Sequence, residues 1–570
     1  MIRKTISYFI CALALTLSLA SCLKEDMRSA ATSETYYRSV SQIRSGITGC
    51  YAPLRSILAA RGFWFMTEAD TDLMYMSSST AYDANCDVSP ARPSIATTLW
   101  RYGYQGLMYC NSIIADMNAA VEAGYVTSGE TAPLEAEAQV LRAMYLYLLT
   151  SSFGDVPFYT EKVTEENRAR IASLPRMSAS DTRDSCAVWM KRWILEKKAL
   201  PMQRTYEGGS YRAGAALGLM LGAKCAIWNE DWEQVVEFTS ALESIYGQYA
   251  DSPETFGSDY PLTDIPFTRK YTAESIWETG NQVESYGLQV NGAIAPVAMP
   301  TRRTISYVQD ETEPEDGSEA MEDEGAQSGS DYYDGIVIPE LGGYSRTSSA
   351  VRPTAYYYQQ ILPYASVDLR SGEYSGGADS PRGSSGNLAW RWSGYKAEDS
   401  ERENRQVMFF FFGGSSSGGT TSRPWLGNKF WCPEMYNNKD SNNYKLFRFA
   451  DALLMKAEAL LHLGDGTQAC KYLNITRTRA GLSPLTFAGM MESDDALMEE
   501  IRRERAKELF GEFTRKYDLV RWGIWYERTR AYNDSKYLQN NIRPCHRYWP
   551  IPADQVSYSG GVLDNSEYAM

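Results

Sequence analysis

Histidine is almost missing from this sequence, which contains His462 and His546 and no others among its 570 residues. Cysteine occurs ten times but never in a Cys-x-x-Cys arrangement. Histidine is the commonest metal ligand and general base, and paired cysteines mark zinc and redox sites. The sequence therefore gives little support to histidine-based catalysis, and we expect no metal and no cofactor. Of the eight cysteines outside the first 22 residues, no particular disulfide pairing is predicted.

A second long apolar run and an excess of positive charge are also missing. No stretch of about 18 apolar residues follows the first 21 residues, so the body of the protein is expected to lie outside the bilayer. The 56 Lys and Arg residues against 71 Asp and Glu residues give a net charge of -15 at pH 7. An acidic body disfavours contact with phosphate backbones, so we predict no nucleic-acid partner.

The first residues have the pattern of an export signal. Arg3 and Lys4 form a short positive head, and residues 6–20 are almost wholly apolar, too few to span a bilayer. The letters LAS before Cys22 resemble a bacterial lipobox, which predicts a lipoprotein signal peptide over 1–21 and lipidation of Cys22. The alternative is an ordinary signal peptide with an incidental cysteine. The letters KED soon after the cysteine resemble the short signal that sends Bacteroidetes lipoproteins to the cell surface.

Helical periodicity dominates both ends of the chain. Apolar residues recur at three and four along 445–466, and a second helix is predicted at 468–482 after a Gly-Asp turn. The same design appears in 215–242, where Asn-Glu-Asp forms the turn. These helical hairpins suggest tetratricopeptide-like packing without a clean 34-residue repeat. Further helices are predicted at 35–60, 104–124, 134–152, 182–199 and 493–511.

The middle of the chain differs in composition from both ends. Residues 281–443 are rich in Gly, Ser and Tyr and show no sustained helical stripe, and 309–331 is an acidic tract typical of a solvated loop. The FFFF run at 409–412 indicates a buried strand. We predict a mainly α fold of tetratricopeptide-like hairpins that form a right-handed helical scaffold, with a loop-rich excursion that carries short strands. The predicted regions, with 22–570 as one compact domain, are 1–21, 22–280, 281–443 and 444–570.

Several long motifs, in order along the chain, resemble those of one family. They are EAQVLRAMYLYLLTSSFGDVP (137–157), RFADALLMKAEAL (448–460), LNITRTRAGL (473–482), IRRERAKELFGEFTRKYDLVRWG (501–523) and WPIPADQV (549–556). With the lipobox, they make the chain similar to the SusD/RagB family of Bacteroidetes nutrient-uptake lipoproteins. The family's Asn-Pro-rich C-terminal segment is only faintly present in GVLDNSEYAM.

The resemblance implies a helical, tetratricopeptide-based fold that caps a SusC-like TonB-dependent outer-membrane transporter. It implies a lipid-anchored protein on the extracellular face of the outer membrane, which binds a glycan, or in some relatives a peptide, and delivers it to the barrel. A peptide-binding relative with the same partner and a helical-repeat scaffold without a small ligand remain alternatives. We expect no enzyme activity.

Ligand-contacting side chains are expected in loops, where aromatic rings can stack on sugar faces and polar neighbours can bind hydroxyl groups. The resemblance places them in the loop after the first helices and in the irregular middle. Trp390 and Trp392, two residues apart, would share one face of an extended strand, where they are either a stacking platform or inward-facing core. The predicted ligand-binding residues are Asp72, Tyr75, Tyr82, Asn85, Tyr286, Tyr307, Tyr332, Trp390, Trp392 and Tyr395.

Three glutamates at intervals of four, Glu504, Glu508 and Glu512, share one helix face. One interpretation is a glycosidase carboxylate pair, which needs carboxyl groups about 5 to 9.5 Å apart across an open sugar site. The other is a structural ion network, with the nearby arginines at 505, 515 and 521 as available cations. We predict the ion network and no catalytic residue, because nothing near these glutamates suggests a sugar cleft.

Overall fold

The structure is a computed structural model, and it describes much of the chain between residues 36 and 568. The described residues are 36–58, 61–90, 92, 94–204, 212–281, 294–298, 305–309, 350–363, 367–371, 373–374, 387–391, 405–412, 426–430, 432, 440–490 and 492–568. Among them, no helix is both long enough and apolar enough to cross a membrane.

Helices dominate the described part of the chain, as the sequence predicted. The α-helices are α1 Val40–Gly49, α2 Ala52–Leu58, α3 Arg61–Trp64, α4 Ile95–Glu122, α5 Ser128–Phe153, α6 Arg168–Ala172, α7 Ala179–Met190, α8 Ala215–Trp228, α9 Trp232–Tyr246, α10 Pro253–Asp259, α11 Ala295–Ala298, α12 Phe449–His462, α13 Gly466–Arg479, α14 Asp494–Glu508, α15 Arg515–Arg521, α16 Trp525–Tyr532, α17 Lys536–Asn541 and α18 Ala553–Tyr558. Wider π-helical turns occupy Phe65–Ala69, Lys191–Glu196 and Tyr357–Ile361.

The two predicted hairpins are present, with local sequence signals at their turns. In the α8–α9 hairpin the Asp231 side chain accepts a hydrogen bond from the Gln234 amide at 3.1 Å. In the α12–α13 hairpin Gly464 adopts φ +82°, a left-handed conformation that glycine tolerates and that ends helices. Asp465 then caps α13 by accepting from the Gln468 amide at 3.0 Å. The prediction of a mainly α fold built from helical hairpins is confirmed.

One predicted helix start is wrong. Residues 445–448 do not continue α12 but form strand β10, which pairs antiparallel with β4 (Ser275–Glu278). The apolar residues of this segment are compatible with a helix or a strand. It forms a strand because it pairs with the distant strand β4. Elsewhere the predictions differ mainly at their ends, since 35–60 is divided into short helices and α4 begins at Ile95.

The hydrophobic core forms around a helix that is covered on all sides. Every side chain of α5 from Ala136 to Phe153 is buried. Such a helix is expected in the middle of a large bundle rather than on its surface. The main core cluster contains residues from Ile43 near one end of the described chain to Leu563 near the other.

The strands are short and lie in small antiparallel sheets. In chain order they are β1 Met74–Met76, β2 Val156–Pro157, β3 Arg176–Met177, β4 Ser275–Glu278, β5 Ile305–Gln309, β6 Val351–Pro353, β7 Glu373–Tyr374, β8 Asn387–Arg391, β9 Arg405–Phe412 and β10 Lys445–Arg448. β1 pairs with β6, β2 with β3 and β4 with β10, while one sheet has the order β5-β9-β8-β7. The FFFF run lies in β9, so its prediction as a strand is confirmed.

Candidate glycan-binding surface

The predicted ligand residues fall into two groups. Asp72, Tyr75, Tyr82 and Asn85 belong to the described part of the chain, whereas Tyr286, Tyr332, Trp392 and Tyr395 lie outside it. Tyr307 is in β5 and Trp390 is in β8, where it stands opposite Phe409, and for both only the backbone is described. The role of the middle residues therefore stays a prediction.

Asp72 and Asn85 are not loop side chains open to a ligand. Asp72 is fully buried, and its two carboxylate oxygens accept from the Arg515 guanidinium at 2.8 and 2.7 Å. Asn85 is also buried; its amide nitrogen donates to the Ser78 carbonyl at 2.7 Å, and its oxygen is 3.1 Å from the Ser535 hydroxyl. Each group is already satisfied inside the protein, so we correct their assignment from ligand contacts to structural positions.

Tyr82 is an exposed aromatic, and its role as a ligand contact stays a prediction. The relative exposure of the residue to solvent is 45%. The Arg92 guanidinium lies 4.5 Å from the ring centroid, and Asp87 holds that guanidinium with an ion pair of 2.6 Å. The ring is thus oriented by a cation on one side and keeps part of its surface open.

Four half-buried tyrosines lie in β1, just after β6 and at the end of α16, and we call them the tyrosine patch. Within it, Tyr356 and Tyr532 stack with ring centroids 4.0 Å apart and planes 22° from parallel. Tyr358 is two residues after Tyr356, and it is close enough to Tyr75 for the Tyr75 charge to raise the pKa of its phenol. The patch consists of Tyr75, Tyr356, Tyr358 and Tyr532.

Three separate parts of the chain build the patch. Tyr75 is in β1, which pairs with β6 so that Tyr75 stands opposite Arg352. Tyr356 and Tyr358 come directly after β6, and Tyr532 is the last residue of α16. The patch therefore exists only in the folded protein, because its three segments are far apart in the sequence.

Hydrogen bonds fix these three segments to one another. The Trp525 indole donates to the Asp70 carbonyl at 2.9 Å, which ties α16 to the segment before β1. Next to Tyr532, the Asn533 amide donates to the Thr71 carbonyl at 2.7 Å and to the Met74 carbonyl at 2.9 Å. The Asp534 carboxylate accepts from the Ala355 amide at 2.6 Å, close to Tyr356. These hydrogen bonds hold the backbone segments that carry the rings in fixed positions relative to one another.

The phenol groups of Tyr356 and Tyr358 stay protonated at neutral pH. Burial raises the pKa of Tyr356, and the Arg528 charge only partly opposes this shift. Burial, followed by the Asp534 and Tyr75 charges, raises the pKa of Tyr358. A neutral phenol combines an apolar ring with a hydroxyl that both donates and accepts, which suits contact with a sugar face and its hydroxyl groups.

The three glutamates form a buried ion network, but the prediction that they share one helix face is wrong, because α14 ends at Glu508 and Glu512 lies in the turn after it. Glu508 accepts from Arg479 at 2.6 Å, Arg448 at 2.9 Å and Arg370 at 3.0 Å. Burial by itself raises the pKa of Glu508, but the charges of Arg479, Arg448 and Arg370 outweigh it and hold the pKa well below its usual range. This carboxylate is thus ionised and fully engaged by guanidinium groups.

The neighbouring glutamates are paired in the same way. Glu504 binds Arg370 at 2.8 Å, and Glu512 binds Arg448 at 2.8 Å and Lys429 at 2.7 Å. The predicted ion network is present, but the predicted cations are wrong. Those arginines pair with other carboxylates instead: Arg505 with Asp451 and Asp518, Arg515 with Asp72, and Arg521 with Glu458.

Sequence reasoning missed Tyr356, Tyr358, Tyr532 and Arg528. The YYY run at 356–358 was visible within the irregular middle, but nothing in the sequence connected it with Tyr75 or with the end of α16. In the described ranges, no cluster of three or more His, Cys, Asp or Glu residues could hold a metal ion, and the eight cysteines are free thiols.

The chain is similar to known proteins over most of its length. A family model described as the SusD family matches residues 321–568, and one described as "Starch-binding associating with outer membrane" matches residues 24–202. A curated SusD-like protein of Formosa agariphila is 24% identical over 575 residues, which cover 97% of this chain and 96% of that protein.

Solved structures share the fold over nearly the whole chain. Surface glycan-binding protein A from Bacteroides uniformis has a TM-score of 0.62 at 20% identity and covers 93% of this chain and 100% of its own. The Bacteroides thetaiotaomicron protein of the same name, in complex with laminarihexaose, has a TM-score of 0.61 at 19% identity and covers 92% of this chain and 98% of its own. At these identities the likeness is one of fold.

Proposed function

This chain belongs to the SusD family, and from that premise we propose that it captures a glycan at the outer-membrane surface. The observation that carries the proposal is the tyrosine patch, in which the Tyr356 and Tyr532 rings stack on backbone segments that hydrogen bonds tie together, with protonated hydroxyl groups on Tyr356 and Tyr358. The laminarihexaose complex of a protein with the same fold supports a glycan as the ligand class.

The rings of the patch suit sugar recognition for a physical reason. A pyranose ring has faces lined with CH groups, which pack on aromatic faces, while its hydroxyl groups need polar partners at the edge. Tyr356 and Tyr532 supply the ring surface, and the Tyr358 hydroxyl and the Asp534 carboxylate supply polar atoms beside it. We also propose Tyr82, Trp390 and Trp392 as glycan contacts, as the sequence predicts.

We further propose that the protein is anchored by lipid on Cys22 and faces the extracellular side. In this arrangement it passes the bound glycan to a SusC-like TonB-dependent transporter beneath it. The lipobox resemblance at residues 19–22 and the outer-membrane description of the matching family support this step. We propose no catalytic step, because the carboxylates at 504, 508 and 512 are buried in ion pairs.

Calorimetric titration with a panel of oligosaccharides tests the proposal. The panel contains laminarihexaose, maltohexaose, cellohexaose and mannohexaose, with unrelated peptides as a second panel. We expect the wild-type protein to bind at least one glycan. Tyr356→Ala and Tyr532→Ala should each weaken that binding by roughly tenfold, since an aromatic contact contributes about 0.5 to 1.5 kcal/mol beyond its buried area.

Tyr558→Ala is the matched control, because Tyr558 is a tyrosine with 74% relative exposure in α18 and is outside the patch. It should bind as the wild type does. Binding of peptides but no glycans would replace the glycan by a peptide ligand. Wild-type glycan affinity in both patch variants would remove the patch from the site, and a protein that bound neither class would be a scaffold.

A further inference from the structure

Arg528 connects the stacked rings of the tyrosine patch to the protein interior. One of its terminal nitrogens donates to the Tyr356 hydroxyl at 2.6 Å. Its guanidinium carbon lies 5.2 Å from the Tyr356 ring centroid and 5.3 Å from the Tyr532 ring centroid. A single cation therefore contacts both rings of the stacked pair, and about a quarter of its side chain is exposed.

Asp72 holds Arg528 from the buried side. The Arg528 Nε atom lies 3.4 Å from an Asp72 carboxylate oxygen, and the same carboxylate forms an ion pair with Arg515 at 2.7 Å. The Asp72 backbone is fixed as well, because its carbonyl accepts from the Thr354 hydroxyl at 2.6 Å. Thr354 is two residues before Tyr356, so this hydrogen bond ties the Asp72 backbone to the segment that carries the ring.

The rings consequently have their arrangement before any ligand arrives. An unrestrained surface tyrosine loses rotational freedom on binding, and this loss weakens the affinity by roughly a factor of two to ten for each side chain. Stacking between Tyr356 and Tyr532, together with the guanidinium that contacts both, removes that freedom in the folded protein itself.

We infer that Arg528 and Asp72 are positioning residues of the glycan site: Asp72 fixes Arg528, and Arg528 holds Tyr356 and Tyr532 in a preformed stacking platform. The inference rests on the proposed function of the patch. It also gives Asp72 a role that differs from the ligand contact expected from the sequence, since the carboxylate acts through Arg528 and does not touch the sugar.

A double-mutant cycle with Tyr356 separates positioning from direct contact. We expect Arg528→Ala to weaken binding of the panel glycan that the wild type binds by roughly tenfold, with a less favourable entropy of binding. In a Tyr356→Ala background the same change should have little further effect, because the ring that Arg528 positions is already gone. Arg528→Lys should restore only part of the affinity, since lysine lacks the planar fork.

Arg530→Ala is the matched control, because Arg530 is exposed on the same helix and donates to the Gln539 carbonyl at 3.2 Å. It should leave the glycan affinity and the near-ultraviolet circular dichroism unchanged, whereas Arg528→Ala should alter that tyrosine signal in the ligand-free protein. Asp72→Asn should reproduce the Arg528→Ala signal in weaker form.

Two outcomes would overturn the inference. One is wild-type affinity in Arg528→Ala, and the other is an equal loss of affinity with and without Tyr356, which would make Arg528 a direct ligand contact. A failure of the proposed function looks different: the wild-type protein would bind no glycan, or Tyr356→Ala and Tyr532→Ala would bind as well as the wild type.

Discussion

At the scale of single residues, Glu508 is a buried carboxylate that accepts from three arginines. Replacement by alanine leaves these guanidinium groups in the interior with less negative charge. We expect Glu508→Ala to lower the free energy of unfolding by roughly 3 to 5 kcal/mol, the usual cost of breaking a buried pair. Denaturant unfolding at neutral pH measures it.

Glu499→Ala is the control for this experiment. Glu499 lies on the same helix, but half of its side chain is exposed and it pairs with Arg502 on the surface. Surface pairs contribute little, so the control should change the free energy of unfolding by at most about 1 kcal/mol. If Glu508→Ala kept wild-type stability and lost glycan binding, Glu508 would be a functional residue and not a structural one.

The interaction partners of single residues were the hardest feature to predict from the sequence. Asp72 was expected to contact the ligand because it is an acidic residue in the loop after the first helices. Its partner Arg515 is 443 positions away, and a single sequence contains no signal for that pairing. The three glutamates show the same limit, because their spacing predicted an ion network but not which cations complete it.

At the scale of elements, the close approach of α4 and α5 depends on Gly106. A Cβ atom added there would lie 2.0 Å from the Tyr145 ring. The ring cannot move away easily, since the Tyr145 hydroxyl donates to the Cys50 carbonyl at 2.5 Å and accepts from the Leu54 amide at 3.1 Å. We expect Gly106→Ala to lower the free energy of unfolding by about 1 to 3 kcal/mol.

Gly129→Ala tests whether this cost comes from the contact or from the residue type. Gly129 is in the first turn of α5, and an added Cβ atom meets no atom within 4 Å. The higher helix propensity of alanine should make this variant as stable as the wild type or up to about 1 kcal/mol more stable. Equal destabilisation of both variants would contradict the packing explanation.

Elements with a local signal were predicted well. The turns of both hairpins could be predicted from Gly464, Asp465 and the Asn-Glu-Asp sequence, because capping depends on neighbouring residues. β10 could not be predicted, since its partner β4 is about 170 residues earlier and the two apolar residues of each short strand fit a helix as well as a strand. The tyrosine patch depends on such a distant pairing too, between β1 and β6.

At the scale of the whole molecule, the proposed glycan capture requires that the protein be attached to the outer membrane. We expect Cys22→Ala to lose the protein from the membrane fraction, because lipid on this cysteine would be the anchor. Cys11→Ala is the control, since Cys11 lies in the predicted signal peptide and should leave fractionation unchanged. Outer-membrane localisation of Cys22→Ala at the wild-type level would contradict the lipoprotein proposal.

The family and the fold class could be predicted from the sequence because long motifs recur in a fixed order along it. The division into regions at residues 280 and 443 stays a prediction. So does the contribution of the middle segment to the site, since Tyr286, Tyr332, Trp392 and Tyr395 lie outside the described residues. The described part of the site could not be predicted, because contacts between distant segments form it.

The most direct test of the central claim is a crystal structure of the protein with the oligosaccharide that it binds most tightly in calorimetry. We predict a sugar ring in van der Waals contact with Tyr356 or Tyr532, with Arg528 still bonded to the Tyr356 hydroxyl and to Asp72. An oligosaccharide bound elsewhere, with both rings of the stacked pair free of ligand, would contradict the account.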